Sequence, residues 1–249
     1  MRGIAPSPEQ RLLKRWARAL DDAGEADLAT LKALSTDAHA LRDKINAVLH
    51  VADGRLSQER MGAHEVPKPL HCDWVFRPAL WSGPVRPYGR VGLASGTNLS
   101  GDASVFHDSP LSEVTFRQVR NDTLAPFGVR LDVLAFEGSF LSLVVDLPTE
   151  ATRDLQKRHI LRQTLTLETE APLEAFSRLN IKHGPNTEQI VREIAPGEAT
   201  VEIEFDLAYT DLDEQKVERI WVDLIFEGPE MNQILIRDMT FARRPRAEM

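Results

Sequence analysis

The spacing of apolar residues changes character once along this chain. It follows a helix up to about residue 50 and alternates like a strand from Asp73 onward. In "SPEQRLLKRWARAL", Ser7 stands where a helix N-cap belongs and Pro8 takes the first helical position. Leu12, Leu13, Trp16 and Leu20 then fall on one face, and Arg11, Lys14, Arg15 and Arg18 largely on the other. "DDAGEAD" interrupts the pattern at Gly24, and a second helix is predicted from about Ala26 to Leu49. Its Leu31, Leu34, Ala38, Leu41, Ile45 and Val48 step alternately by three and four, a seam of about two and a half heptads. That suits a helical hairpin over residues 1–50 and falls short of a sustained coiled coil. In "VADGRLSQERMGAHEVPKP", Gly54, Gly62, Pro67 and Pro69 read as helix breakers, so residues 51–70 are predicted to be a linker.

The strand pattern is clearest in "VEIEFDLAY", where Val201, Ile203, Phe205 and Leu207 alternate with Glu202, Glu204 and Asp206. "GVRLDVLAF" places Val129, Leu131 and Val133 together, and "FLSLVVDLP" does the same for Leu141, Leu143, Val145 and Leu147 before Pro148 stops it. "ILRQTLTLETE", "AFSRLNIK", "VERIWVDLIF" and "QILIRDMTFARR" read similarly. None is followed by a helix of crossover length, so the region 71–249 is predicted to be an antiparallel β-sandwich or jelly roll of roughly eight to ten strands. "LAFEGSFLSL" and "LIFEGPEMNQILI" share Phe-Glu-Gly between strands, with Gly138 and Gly228 as turn residues.

Composition narrows the classes. The chain has 249 residues, 42% hydrophobic and 27% charged, which fits a globular protein with a sizeable core. The net charge of -8 argues against a nucleic-acid binder. Basic residues gather at the two ends, around an acidic middle. No apolar run approaches the ~20 residues of a membrane span. The N-terminus also lacks a signal peptide's apolar segment, and Cys72 is the single cysteine. The expected setting is therefore the cytoplasm.

Candidate chemistry concentrates in "HCDWVFRPALWSGPVRPYGR", residues 71–90. Strand alternation keeps Cys72 from converging with both His71 and Asp73, and no second cysteine completes a zinc site. Cys72 is read as a small buried residue. Trp74 and Trp221 lie in strand-like runs, where core packing is expected. Trp81 and Tyr88 lie in a Gly/Pro-rich loop, with Arg86 and Arg90 close by in the chain as donors. Those four are the candidate ligand-binding residues, since flat rings stack on sugars and other apolar ligands. The plain alternative is that this loop packs over one end of the sandwich. In "TDLDEQK", Asp211 and Asp213 could hold a structural calcium ion, although the spacing matches no complete calcium loop. No other cofactor is implied. No phosphate-binding glycine loop, Gly-x-Ser-x-Gly or His-Glu-x-x-His is present, and no catalytic set stands out. "RLLKRWARAL" is a basic amphipathic helix, which suits either packing in the hairpin or attachment to a membrane surface.

The strand region resembles the galactose-binding-like jelly roll of carbohydrate-binding modules. "FGVRLDVLAFEGSFLSLVVDLP" and "VERIWVDLIFEGPEMNQILIRDMTFARRP" carry that resemblance. The whole chain also resembles an uncharacterised alphaproteobacterial family of the Rhodobacter type, through "DWVFRPALWSGP" and "RDMTFARRPRAEM". The first resemblance implies a glycan ligand; the second implies no function. The expectation is a non-catalytic binding or scaffolding protein, with a glycan or protein partner and self-association through residues 7–50. The alternatives are an enzyme acting on a glycan or sugar derivative, and a peripheral membrane protein.

Overall fold

Ser7 caps the first helix reciprocally: its hydroxyl accepts the Gln10 N–H at 3.3 Å, and the Gln10 side chain accepts the Ser7 N–H at 3.0 Å. This helix, α1, spans Pro8–Asp22, and α2 spans Leu28–Arg60. Asp27 starts α2 by accepting the Thr30 N–H at 2.9 Å. The computed structural model describes residues 7–60, 66, 68–111, 113–121, 125–195, 197 and 199–246. The chain divides into two units, Met1–Val51 and Ala52–Met249.

In the first unit, Arg15 of α1 reaches Asp37 of α2 at 3.4 Å, so the helices form the expected hairpin. Trp16 is half-buried, as are Leu31, Leu34, Ala38 and Leu41 from the first part of the heptad seam. The rest of the apolar surface stays outside. No residue of α1 is fully buried, Leu13 and Leu20 are 70% and 77% exposed, and Ile45 and Val48 are exposed too.

The second helix does not stop at Leu49. It runs through Gly54 to Arg60, inside the stretch expected to be a linker. The physical reason lies in the second unit, where Gly54 is buried against Phe127; a Cβ at position 54 would collide with the Phe127 ring. Glycine is needed there for close approach rather than for ending a helix. Gly62 and Pro67 lie outside the described residues.

The second unit is a sandwich of two antiparallel sheets. Its strands are β1 (Trp74–Phe76), β2 (Gly89–Val91), β3 (Thr97–Ser100), β4 (Ala103–His107), β5 (Val114–Arg120), β6 (Phe127–Val133) and β7 (Phe140–Asp146). There follow β8 (His159–Thr169), β9 (Glu174–His183), β10 (Asn186–Glu193), β11 (Thr200–Asp206), β12 (Val217–Glu227) and β13 (Asn232–Pro245). The seven-stranded sheet runs β11, β8, β13, β6, β5, β2, with β1 also paired to β13. The six-stranded sheet runs β10, β9, β12, β7, β4, β3. The thirteen strands among the described residues exceed the expected eight to ten, and β2 and β3 are too short to show a period.

Alternation sends one side of every long strand inward. Val129, Leu131, Leu161, Leu165, Phe205, Ile234 and Ile236 from one sheet meet Leu141, Leu143, Leu179, Ile181, Val222, Leu224 and Phe226 from the other. Between the sheets, the buried Ser177 hydroxyl donates to the Gln163 side chain, which ties β9 to β8. The start of the domain is fastened to its last strand. Arg77 grips Asp238 with two bonds of 2.9 Å, and Arg243 donates to Asp73 at 3.0 Å and to the carbonyls of Ala151 and Arg153. The two Phe-Glu-Gly glycines serve differently. Gly228 adopts a positive φ of 56°, whereas a Cβ at Gly138 would strike Asp108, which receives the Ser139 N–H.

Candidate functional site

The two outer faces of the sandwich differ in chemistry. On the seven-stranded sheet, Arg162 bridges Glu202 at 3.0 Å and Glu204 at 2.8 Å, Arg244 reaches Glu204, and Arg237 pairs with Glu168. This is a ladder of partly exposed ion pairs, the ordinary surface of a solvated sheet.

The six-stranded sheet is different. Along β12, Ile220, Val222, Leu224 and Phe226 are buried between the sheets, so Trp221, Asp223 and Ile225 face out. The register then assembles their neighbours. Asp146 and Asn180 flank Trp221, Val144 and Arg178 flank Asp223, and Ser142 and Phe176 flank Ile225. Phe106 of β4 extends the row beyond Ser142, and Gln189 of β10 lies beyond Asn180.

This face has a polar floor and an apolar surround. Asp223 and Asn180 are 4% and 0% exposed although they point outward. Arg178 donates to Asp223 at 2.8 Å through Nε, and Asn180 Nδ2 donates to the same oxygen at 3.0 Å. Gln189 in turn donates to Asn180 Oδ1 at 2.9 Å. Asp146 accepts from Arg219 Nε at 2.7 Å, which holds that guanidinium 4.9 Å from the centre of the Trp221 ring. Ser142 is 4% exposed, and its hydroxyl has no hydrogen-bond partner among the described residues. An enclosed hydroxyl without a partner is costly. Around this floor stand Trp221, Phe176, Ile225 and Val144, all half-buried, and Phe106, which is 42% exposed.

Half-exposed rings and aliphatic groups present a surface able to cover the C–H faces of a ligand, while the partly exposed Arg178 and the exposed Gln189 supply oriented polar groups at that surface. Asp146 and Asp223 each accept a hydrogen bond from an arginine.

A sequence profile described as a family of unknown function (DUF6478) matches residues 4–249. The chain belongs to this family. No curated protein matches the chain. Among solved structures, the DUF6478 chain is similar to the family 11 carbohydrate-binding module from Clostridium thermocellum in complex with a β-1,3-1,4-mixed-linked tetrasaccharide. Identity there is 13% and the TM-score 0.41, over 63% of this chain and 96% of that one. It is also similar to the enzymatically active domain of bacteriophage CBA120 tailspike protein 4, with 11% identity and a TM-score of 0.40 over 72% of this chain and 24% of that one. A third similarity is to the C-terminal family 22 carbohydrate-binding module of Clostridium thermocellum Xyn10B, at 8% identity and a TM-score of 0.38, over 74% of this chain and all of that one (100%).

The residues expected from the DUF6478 sequence to bind a ligand are not gathered on this face. Trp81 is a core residue: it is fully buried in the short helix α3 (Ala79–Ser82), and its indole N–H donates to the Ile236 carbonyl at 2.9 Å. A ring without an exposed face cannot stack on a sugar, so that expectation is corrected. The surrounding turn is pinned by Gln118, which donates to the carbonyls of Leu80 and Gly83 at 2.7 and 2.8 Å and accepts from Val85 N–H. Arg86 is exposed, and Tyr88 and Arg90 are half-buried beside or within β2, at the edge of the seven-stranded sheet. Trp74 packs against the core as expected. Trp221, expected in the core, faces out instead. The alternation of "RIWVDLIF" carries that signal, since Ile220, Val222, Leu224 and Phe226 claim the inward phase.

The calcium expectation is not supported by the loop. Asp213 accepts from the Gln215 N–H and the Lys216 ammonium, whose bonds hold its carboxyl below the usual range, while Asp211 is exposed. No group of three or more His, Cys, Asp or Glu able to hold a metal occurs among the described residues. Cys72 is buried, and burial raises its thiol pKa, which suits an unreactive side chain.

Proposed function

We propose that the outer face of the six-stranded sheet is a non-catalytic carbohydrate-binding surface. The observation that carries this reading is the Trp221 row. A half-exposed indole stands beside the partly exposed Arg178 guanidinium and the exposed Gln189 amide, both held in place by the buried Asp223 and Asn180. Sugars demand this mixture, because each ring offers an apolar C–H patch bordered by hydroxyls. A cytoplasmic setting belongs to the same proposal, on the strength of the single cysteine.

The test is retention on oligosaccharide arrays and in affinity gels containing mixed-linkage β-glucan or xylan. Trp221→Ala is expected to weaken binding about tenfold, the equivalent of roughly 1.4 kcal/mol of lost stacking. Its melting temperature should stay near that of the wild type, because the ring faces out. A wild-type protein retained by none of these glycans would overturn the reading.

A second reading concerns the helices, and the exposure of Leu13 and Leu20 beside Arg11, Lys14, Arg15 and Arg18 favours it. We propose that this hairpin docks on another surface, either a second hairpin or an anionic membrane. Leu13→Gln/Leu20→Gln should abolish flotation with anionic liposomes, or reduce the mass in solution, while leaving the sandwich folded. A protein that neither floats nor self-associates through this segment would remove the docking role. Among the described residues no helix is long and apolar enough to cross a membrane.

A further inference from the structure

β10 is the outermost strand of the six-stranded sheet. β9 pairs with one side of it, and among the described residues no strand pairs with the other. Its eight residues, "NTEQIVRE", are mostly exposed, with Val191 at 50%. A free edge of this length is a template for another strand. The question is which strand fits.

The hairpin geometry decides which backbone groups are free. The two-residue loop Gly184–Pro185 joins β9 to β10 with His183 opposite Asn186. The pair closing such a loop is hydrogen-bonded, so Asn186, Glu188, Ile190 and Arg192 turn their N–H and C=O groups toward β9. Thr187, Gln189, Val191 and Glu193 therefore turn theirs outward. The Arg192 guanidinium, which donates to the Val191 carbonyl at 2.9 Å in the single chain, agrees with that direction, and a pairing strand takes its place on that carbonyl.

We propose that β10 pairs with β10 of a second copy of this chain, antiparallel, about a two-fold axis at Ile190. Two six-stranded sheets then become one continuous sheet of twelve strands. With the axis at Ile190, Gln189 faces Val191 and Thr187 faces Glu193 as hydrogen-bonded pairs, all four being outward-turned residues. Glu188, whose carboxylate lies 3.7 Å from His183 Nε2 in the single chain, faces Arg192 in the closer, non-hydrogen-bonded positions, where the guanidinium is the added partner, and symmetry supplies that pair twice. Other registers lose this match. An axis at Gln189 sets Glu188 against Ile190, and one at Val191 sets Arg192 against Ile190. An axis at Glu188 or Arg192 brings like charges together. The edge is thus complementary to itself in one register, and that complementarity selects a second copy over an unrelated strand. The inference does not depend on the glycan reading.

The test is sedimentation equilibrium of the full chain over a concentration series. The wild type is expected to dimerise. Glu188→Arg and Arg192→Glu should each weaken dimerisation about tenfold or more, since each dimer loses two opposite-charge pairs and gains two like-charge ones. The double swap Glu188→Arg/Arg192→Glu should restore it. Val191→Pro should weaken dimerisation at least as much as the charge reversals, with an unchanged circular dichroism spectrum, because the N–H it removes points away from β9. If that variant fails to fold, the charge swaps decide alone. A wild type that stays monomeric, a dimer indifferent to the charge reversals, or a double swap that does not restore pairing overturns the proposal.

Discussion

Trp81→Ala is expected to destabilise the sandwich by about 3–5 kcal/mol, the range for truncating a fully buried large aromatic residue. For a domain of this size that corresponds to a fall in melting temperature of roughly 6–20 °C. Two costs add. The indole leaves a cavity among side chains already close-packed, and the Ile236 carbonyl loses its 2.9 Å donor inside the core. Trp81→Phe should lose less, about 1–3 kcal/mol, because most of the volume stays while the N–H goes. Denaturant unfolding followed by circular dichroism measures both. Glycan retention by the folded fraction should be unchanged, in contrast to Trp221→Ala. If Trp81→Ala melts like the wild type but loses ligand, the ring belongs to a binding site and the core assignment fails.

The second large effect is expected at Asp223. Its carboxylate accepts from both Arg178 and Asn180, and Asp223→Ala leaves Asn180, which has no solvent exposure, without that acceptor. Breaking a fully buried ion pair costs about 3–5 kcal/mol, but Arg178 is 37% exposed and can turn to water. A loss of about 2–3 kcal/mol follows. The signature is non-additivity: Arg178→Ala/Asp223→Ala should lose less than the two single variants combined, because the double removes both charges together. Additive losses would mean that the pair is not coupled. Glycan binding should weaken in all three variants, since this network is the floor of the proposed surface.

The sandwich was legible from alternation wherever strands are long enough to repeat. "VEIEFD" and "FLSLVVD" form β11 and β7 with the expected residues inward, while Leu207 opens a 3-10 turn and Leu147 follows the end of β7. β10 is hard to read from sequence, because only Ile190 of this edge strand packs against the core and one apolar position shows no period. The end of α2 is not legible in the sequence for a specific reason: Gly54 has the character of a helix breaker, but it is the one residue type that lets the helix backbone approach Phe127. The site was legible only in part. "HCDWVFRPALWSGPVRPYGR" drew the eye because reactive and aromatic types crowd together in it, yet its Asp73, Arg77 and Trp81 are consumed in holding the fold. The residues of the proposed surface come from β4, β7, β9, β10 and β12, and only the register of the six-stranded sheet brings them side by side. No local spacing encodes that convergence. The phase of Trp221 within its own strand was the one readable clue.

The position of β13 has a consequence for how the domain comes into being. This strand lies between β8 and β6, supports β1, and offers the carbonyl that receives Trp81. A chain leaving the ribosome has every other strand available before the one that joins them. Until residues 232–245 emerge, the nascent sandwich holds two incomplete edges and a tryptophan with no acceptor. Such a topology ties folding to the end of synthesis of this segment and leaves strand edges exposed in the interval, when a holding chaperone would be of most use.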